Sequence, residues 1–181
     1  MNERASEPIL CGANPGVRLL DGDTVTAFAS VWTVDWSTHG AGNAVVLWHD
    51  GRVRALGPAC LTEWLASYFV RHFPEVDGLP WPAPVVEETP VCVDLDLGTG
   101  LVARAGDVVV TMSGVLGRRT FGTGDFALGG VPHSLQLLLA PVSNAAITVA
   151  GRRLPGAVTV GGTSERPSSS AFLATAEVWS R

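Results

Sequence analysis

The chain has 181 residues, enough for one domain to bury a substantial core, and its composition, 46% hydrophobic against 16% charged, excludes a disordered chain. A net charge of −5 lacks the basic footprint that nucleic-acid binding needs, so no nucleic-acid partner is expected. All twelve basic residues are arginine, which excludes lysine Schiff bases and lysine-anchored pyridoxal phosphate.

The scarcity of surface charge points to self-association, as a homodimer or larger homo-oligomer. The opening segment MNERASEPIL has no apolar run of the secretory type, and no later run reaches spanning length. A cytoplasmic protein without a membrane partner is the expectation. Cys11, Cys60 and Cys92 are far apart and lack paired metal-ligand spacing, so they read as free thiols, and neither a metal nor a cofactor is expected.

Residues 1–23, with their NPG and DGD turns, read as an irregular lead-in to one globular domain spanning 1–181. TVTAFASVWTVDW, residues 24–36, is the first strong strand. A polar segment at 37–43 follows, then AVVLWH as a second strand, and Asp50-Gly51 as a tight turn into RVRAL. Leu61, Trp64, Leu65, Tyr68, Phe69 and Phe73 recur at helical spacing and predict one long helix from about 58 to 73, with Pro58 at its first position and Pro74 as its stop. Beyond a proline-rich connector no second helix is visible. Extended segments are expected at 91–97, 101–104, 107–116, 134–140, 145–150, 157–160 and 171–179, and 161–170 reads as a mobile loop. The fold class is therefore α+β: a mostly antiparallel curved sheet, or a partly closed barrel, packed on the long helix.

The stretch DWSTHGAGNAVVLWHDG holds two histidines and two aspartates within seventeen residues. If Trp36 opposes Ala44, then Trp32 faces Trp48, and Phe28, Trp32, Trp36 and Trp48 form an aromatic wall on one sheet face. That wall is either core or the ligand-binding side of a cavity for a small apolar or aromatic molecule. In the same register Asp35 and His49 share the other face but stand roughly 13 Å apart, too far for a catalytic dyad. His39, in the loop, and His133, where a glycine turn enters an apolar strand, complete a set of acid/base candidates with Asp35.

The bland readings stand beside these. Asp94 and Asp96 on one strand face fit a solvated edge better than a cation site, RRTFGTGDFALGG lacks the spacing of a phosphate loop and reads as turns, and neither Ser113 nor the serines at 168–170 sit in a nucleophile elbow. His72 fits a helix C-terminus. Three functions compete: a small-molecule binding domain with an aromatic-lined cavity between sheet and helix, an enzyme doing metal-independent acid/base chemistry in that cavity, and a homo-oligomeric interaction protein.

Overall fold

The structure is a computed structural model describing residues 7–181. Among them the chain forms β1 (Pro8–Ala13), β2 (Gly16–Asp21), β3 (Thr24–Ser37), β4 (Gly42–His49) and β5 (Arg52–Leu56), then α1 (Ala59–Trp64). After the helical region come β6 (Val85–Glu87), β7 (Val91–Asp96), β8 (Gly100–Ala105), β9 (Val108–Val115), β10 (Arg119–Leu128) and β11 (Val131–Val149). The last elements are β12 (Arg152–Arg153), β13 (Val160–Gly162), β14 (Pro167–Ser169) and β15 (Ala171–Ser180). For residues 1–6 the irregular lead-in lies outside the described residues. From Pro8 onward it is corrected to two strands, interrupted at Asn14-Pro15, that together fill the gap between β3 and β15.

One large sheet runs in the order β6-β5-β4-β3-β1-β15-β11-β9-β8-β7, antiparallel at every step except β5–β6. β11 is its spine: the first half pairs with β10 and β15, and beyond Pro141 the second half pairs with β9. The two ends of the sheet thereby face each other across an aliphatic core. Val17, Ala29, Val45 and Leu47 from one side meet Leu101, Val110, Met112 and Ile147 from the other.

No ladder joins β6 to β7, so the sheet is not a closed barrel. Side chains span the opening instead. Arg54 on β5 grips Glu87 on β6 in bidentate fashion, at 2.6 and 2.8 Å, and reaches Asp107, between β8 and β9, at 2.7 Å. Asn43 Nδ2 donates to Val91 O at 3.1 Å.

The outer face of β3, β4 and β5 is covered by the helical segment, which is not the continuous helix expected. α-Helical bonding holds only over Ala59–Trp64; a π turn (Leu65–Phe69) and a 3-10 turn (Val70–His72) follow. The buried side chains Leu61, Leu65, Phe69 and Phe73 are four residues apart, a spacing that overshoots by about 40° per step in an ideal α-helix. The wider π turn keeps that row pointed at the sheet. No described helix is long and apolar enough to cross a membrane.

Candidate functional site

The expected hairpin forms, but its register is displaced by four residues: Trp32 opposes Ala44 and Phe28 opposes Trp48. Because four is an even shift, Phe28, Trp32 and Trp48 still share a face. Trp36 does not. One step of β1, from Cys11 to Gly12, spans two residues of β3, from Trp36 to Val34, and this bulge at Asp35 turns the indole to the other face, where it is 49% exposed.

Phe28, Trp32 and Trp48 are buried in the cluster under the helical segment. Trp32 lies 5.5 Å from Phe69 and 6.2 Å from Phe73 between ring centroids, and Trp48 Nε1 donates to Pro80 O at 2.9 Å. The space between sheet and helix is thus filled by the aromatic cluster itself.

The acid/base candidates are not brought together. Asp35 is exposed, and His49 opposes Ala27, eight residues along β3 from Asp35 or roughly 26 Å. His39 is exposed, stacks on the Trp64 indole at 4.2 Å and 12°, and meets Thr38 Oγ1 through Nδ1 at 3.0 Å. His133 is buried, with both ring nitrogens occupied. Nδ1 faces Val131 O at 2.8 Å, and because a carbonyl only accepts, Nδ1 carries a proton; the Tyr68 hydroxyl takes Nε2 at 2.9 Å. His72 lies against Gly129, and its pKa is lowered first by burial and then by Arg71. Among the described residues no group of three or more His, Cys, Asp or Glu side chains is placed to share a metal ion.

A cleft of about 330 Å³ opens elsewhere, beside the far end of the helical segment. Its walls are aromatic: Phe73 after the 3-10 turn, Phe121 and Phe126 from β10, Phe172 and Trp179 from β15. Leu135, Leu137 and Leu139, alternate residues of β11, supply the floor. Trp179 joins the cleft to the core, stacking on Phe73 at 6.2 Å and meeting Phe126 edge-on at 5.0 Å.

The polar members of the cleft come from irregular points in neighbouring strands. Asn14 occupies the break between β1 and β2, where Pro15 has no N–H for a ladder; its amide nitrogen faces the carbonyls of Pro15 and Val31 and the Ser30 hydroxyl. On β15, the partner residue shifts between Val178 and Thr175, with Ala176 held at φ +50°. A non-glycine residue in that region is strained, and such strain together with a bulge is a frequent mark of functional sites. This bulge turns Glu177 inward on the same face as Trp179, whose Nε1–H donates to its carboxylate.

Glu177 is fully buried, and desolvation pushes its carboxyl up to about 8, a rise the Trp179 hydrogen bond only partly offsets. Glu75, on the 3-10 turn Pro74–Val76, is also raised by burial, opposed by its own backbone N–H and by the charge of Arg18. Arg18 on β2 is half-buried; its Nε is enclosed and has no hydrogen-bond partner. One proton-holding carboxyl, Glu177, a second carboxyl raised by burial, Glu75, and one guanidinium therefore meet an aromatic hollow, an arrangement suited to binding an apolar molecule with a polar end and, through Glu177, to moving a proton near neutral pH.

Arg18, Glu75 and Glu177 were not singled out in the sequence. The signal for Glu177 was present in EVWS: a carboxylate two residues from a tryptophan on one strand shares its face, and so its burial. Family models, curated proteins and solved structures were all compared with this chain, and none matches it.

Proposed function

We propose that the protein binds a small apolar or aromatic molecule in the cleft walled by Phe73, Phe121, Phe126, Phe172 and Trp179. The observation that carries the reading is the hollow itself: five aromatic rings and three leucines around about 330 Å³, a size and lining typical of small-ligand sites. The test is fluorescence titration with N-phenyl-1-naphthylamine, a neutral aromatic probe that brightens on leaving water. One saturable site is expected, and Leu137→Trp, which fills the floor, should weaken it by at least about tenfold through lost apolar contact. A probe response equal in the two proteins would remove the reading.

Acid/base catalysis in the same cleft is the second reading, favoured by Glu177, whose inward aim from a strained bulge and pKa near 8 suit a general acid or base. Incubating a metabolite extract with the wild type and with Glu177→Gln separates the two: a compound consumed by the wild type alone supports catalysis, and none consumed supports binding only. Self-association draws support from the cross-strand row Trp36, Cys11 and Val178, in which both Trp36 and Val178 are exposed; sedimentation of the wild type reads it directly.

A further inference from the structure

We infer that the ligand of this cleft is a monoanion, an apolar body ending in a carboxylate, with Arg18 and Ser170 holding the charged end; the inference rests on the binding reading above. Arg18 and Ser170 line both the aromatic cleft and an adjoining polar groove of about 320 Å³, so they stand where an amphipathic molecule changes character. Arg18 forms no ion pair among the described residues, and its Nε–H is enclosed without an acceptor. The enclosed Nε is out of a ligand's reach, but the Nη groups at the tip are not enclosed and have no ion pair among the described residues, so a carboxylate in the cleft can take a charge-assisted hydrogen bond from them.

Ser170 offers the second donor. Its Oγ accepts the Thr159 N–H at 2.9 Å and has no acceptor for its own proton among the described residues. Ser169, by contrast, is committed: its Oγ donates to Val142 O at 2.6 Å and accepts the Ala171 N–H at 3.0 Å.

The charge of the ligand follows from the lining. Among the described residues Arg18 is the one cationic residue around cleft and groove, and it forms no ion pair with Asp23 on the groove side, so it has one positive charge to offer a single carboxylate and would under-neutralise a phosphate dianion. Glu177 does not supply a competing full negative charge at pH 7, because burial favours its protonated form; burial also raises Glu75, a rise that the charge of Arg18 opposes.

The experiment is displacement of bound N-phenyl-1-naphthylamine by octanoate, octanol and octylamine at pH 7. Octanoate is expected to displace the probe at about a tenfold lower concentration than octanol, the scale of one charge-assisted hydrogen bond, with octylamine weakest. With each displacement scaled to the probe's own affinity for that variant, Arg18→Gln should bring octanoate and octanol together, and Arg18→Lys should retain part of the preference. If either variant fails to fold, the ranking of the three ligands on the wild type still decides. Equal displacement by octanoate and octanol overturns the anion inference and leaves the apolar cleft standing. A preference for octylamine also overturns it, assigning recognition to Glu75 and Glu177. No probe binding at all removes the cleft reading beneath it.

Discussion

Glu177 ties a protonation equilibrium to the folded state. Its carboxyl rises from an ordinary value near 4.5 to about 8, so the native protein holds a proton that the unfolded chain releases. Stability from the neutral carboxyl is complete below about pH 4.5 and is lost as pH rises through 8. Glu177→Gln keeps shape and neutrality without the titration. Its melting temperature should match the wild type at pH 5 and exceed it at pH 9, by a stability difference on the order of 2–5 kcal/mol, as scanning calorimetry at both pH values would read. Coincident curves at pH 9 would mean that Glu177 is solvated when ionised. At this scale the sequence was half legible. The burial of Phe28, Trp32 and Trp48 followed from alternation, which survives an even register shift, whereas the exposure of Trp36 depends on a bulge that alternation does not encode. Arg18 and Glu75 were invisible because they are remote in sequence and come to line one cleft only in the folded chain.

Elements that carry a local signature were the ones read correctly. The β4–β5 turn is an example: Asp50 and Gly51 both have positive φ, +50° and +68°, as an Asp-Gly type I′ turn requires. β10 had no such signature. RTFGTGDFAL looks like turns because its strand conformation comes from pairing with β11, from Arg119 opposite Leu139 to Leu128 opposite Val131, and not from β propensity. The helical segment shows the converse, a strong period whose α geometry gives way to a π turn under tertiary packing. Its grip on β3 predicts a contrast between two tryptophans of one strand. Trp32→Ala should cost about 3–5 kcal/mol, since it opens a hole against Phe69 and Phe73, although removing the unpartnered indole N–H recovers part of that loss. Trp36→Ala should stay within about 0.5 kcal/mol of the wild type. Urea denaturation of both variants checks the pair, and equal losses would contradict the burial described for β3.

At the scale of the molecule, strand existence was legible but strand order was not, because pairing in this sheet joins segments that are remote in sequence. A mostly antiparallel sheet, curved or partly closed into a barrel, was foreseen; the side chains that bridge its open side were not. Arg54 is the main bridge, and its hydrogen bond holds the Asp107 carboxyl below the usual carboxylate range. That contribution is present above about pH 4 and fades as acid protonates Asp107, so stability should decline in acid through Asp107 and in base through Glu177. Arg54→Gln should flatten the acid decline in a melting series from pH 3 to 6. Its loss at pH 7 should be no more than about 1 kcal/mol, because Asp107 is 44% exposed and solvent screens the pair. An unchanged acid limb would show that the bridge is not coupled to folding. β15 stands between β1 and β11 in the middle of the sheet, yet it is the last in chain order of the fifteen strands among the described residues. During synthesis the β3–β4–β5 meander has its partners at once, whereas β1 and β11 each keep an open edge until Ala171–Ser180 leaves the ribosome. Glu177 and Trp179 arrive with that strand, so joining the two halves of the sheet and completing the cleft are one event that waits for every other described strand, and a nascent chain stalled before Ala171 presents two adhesive edges.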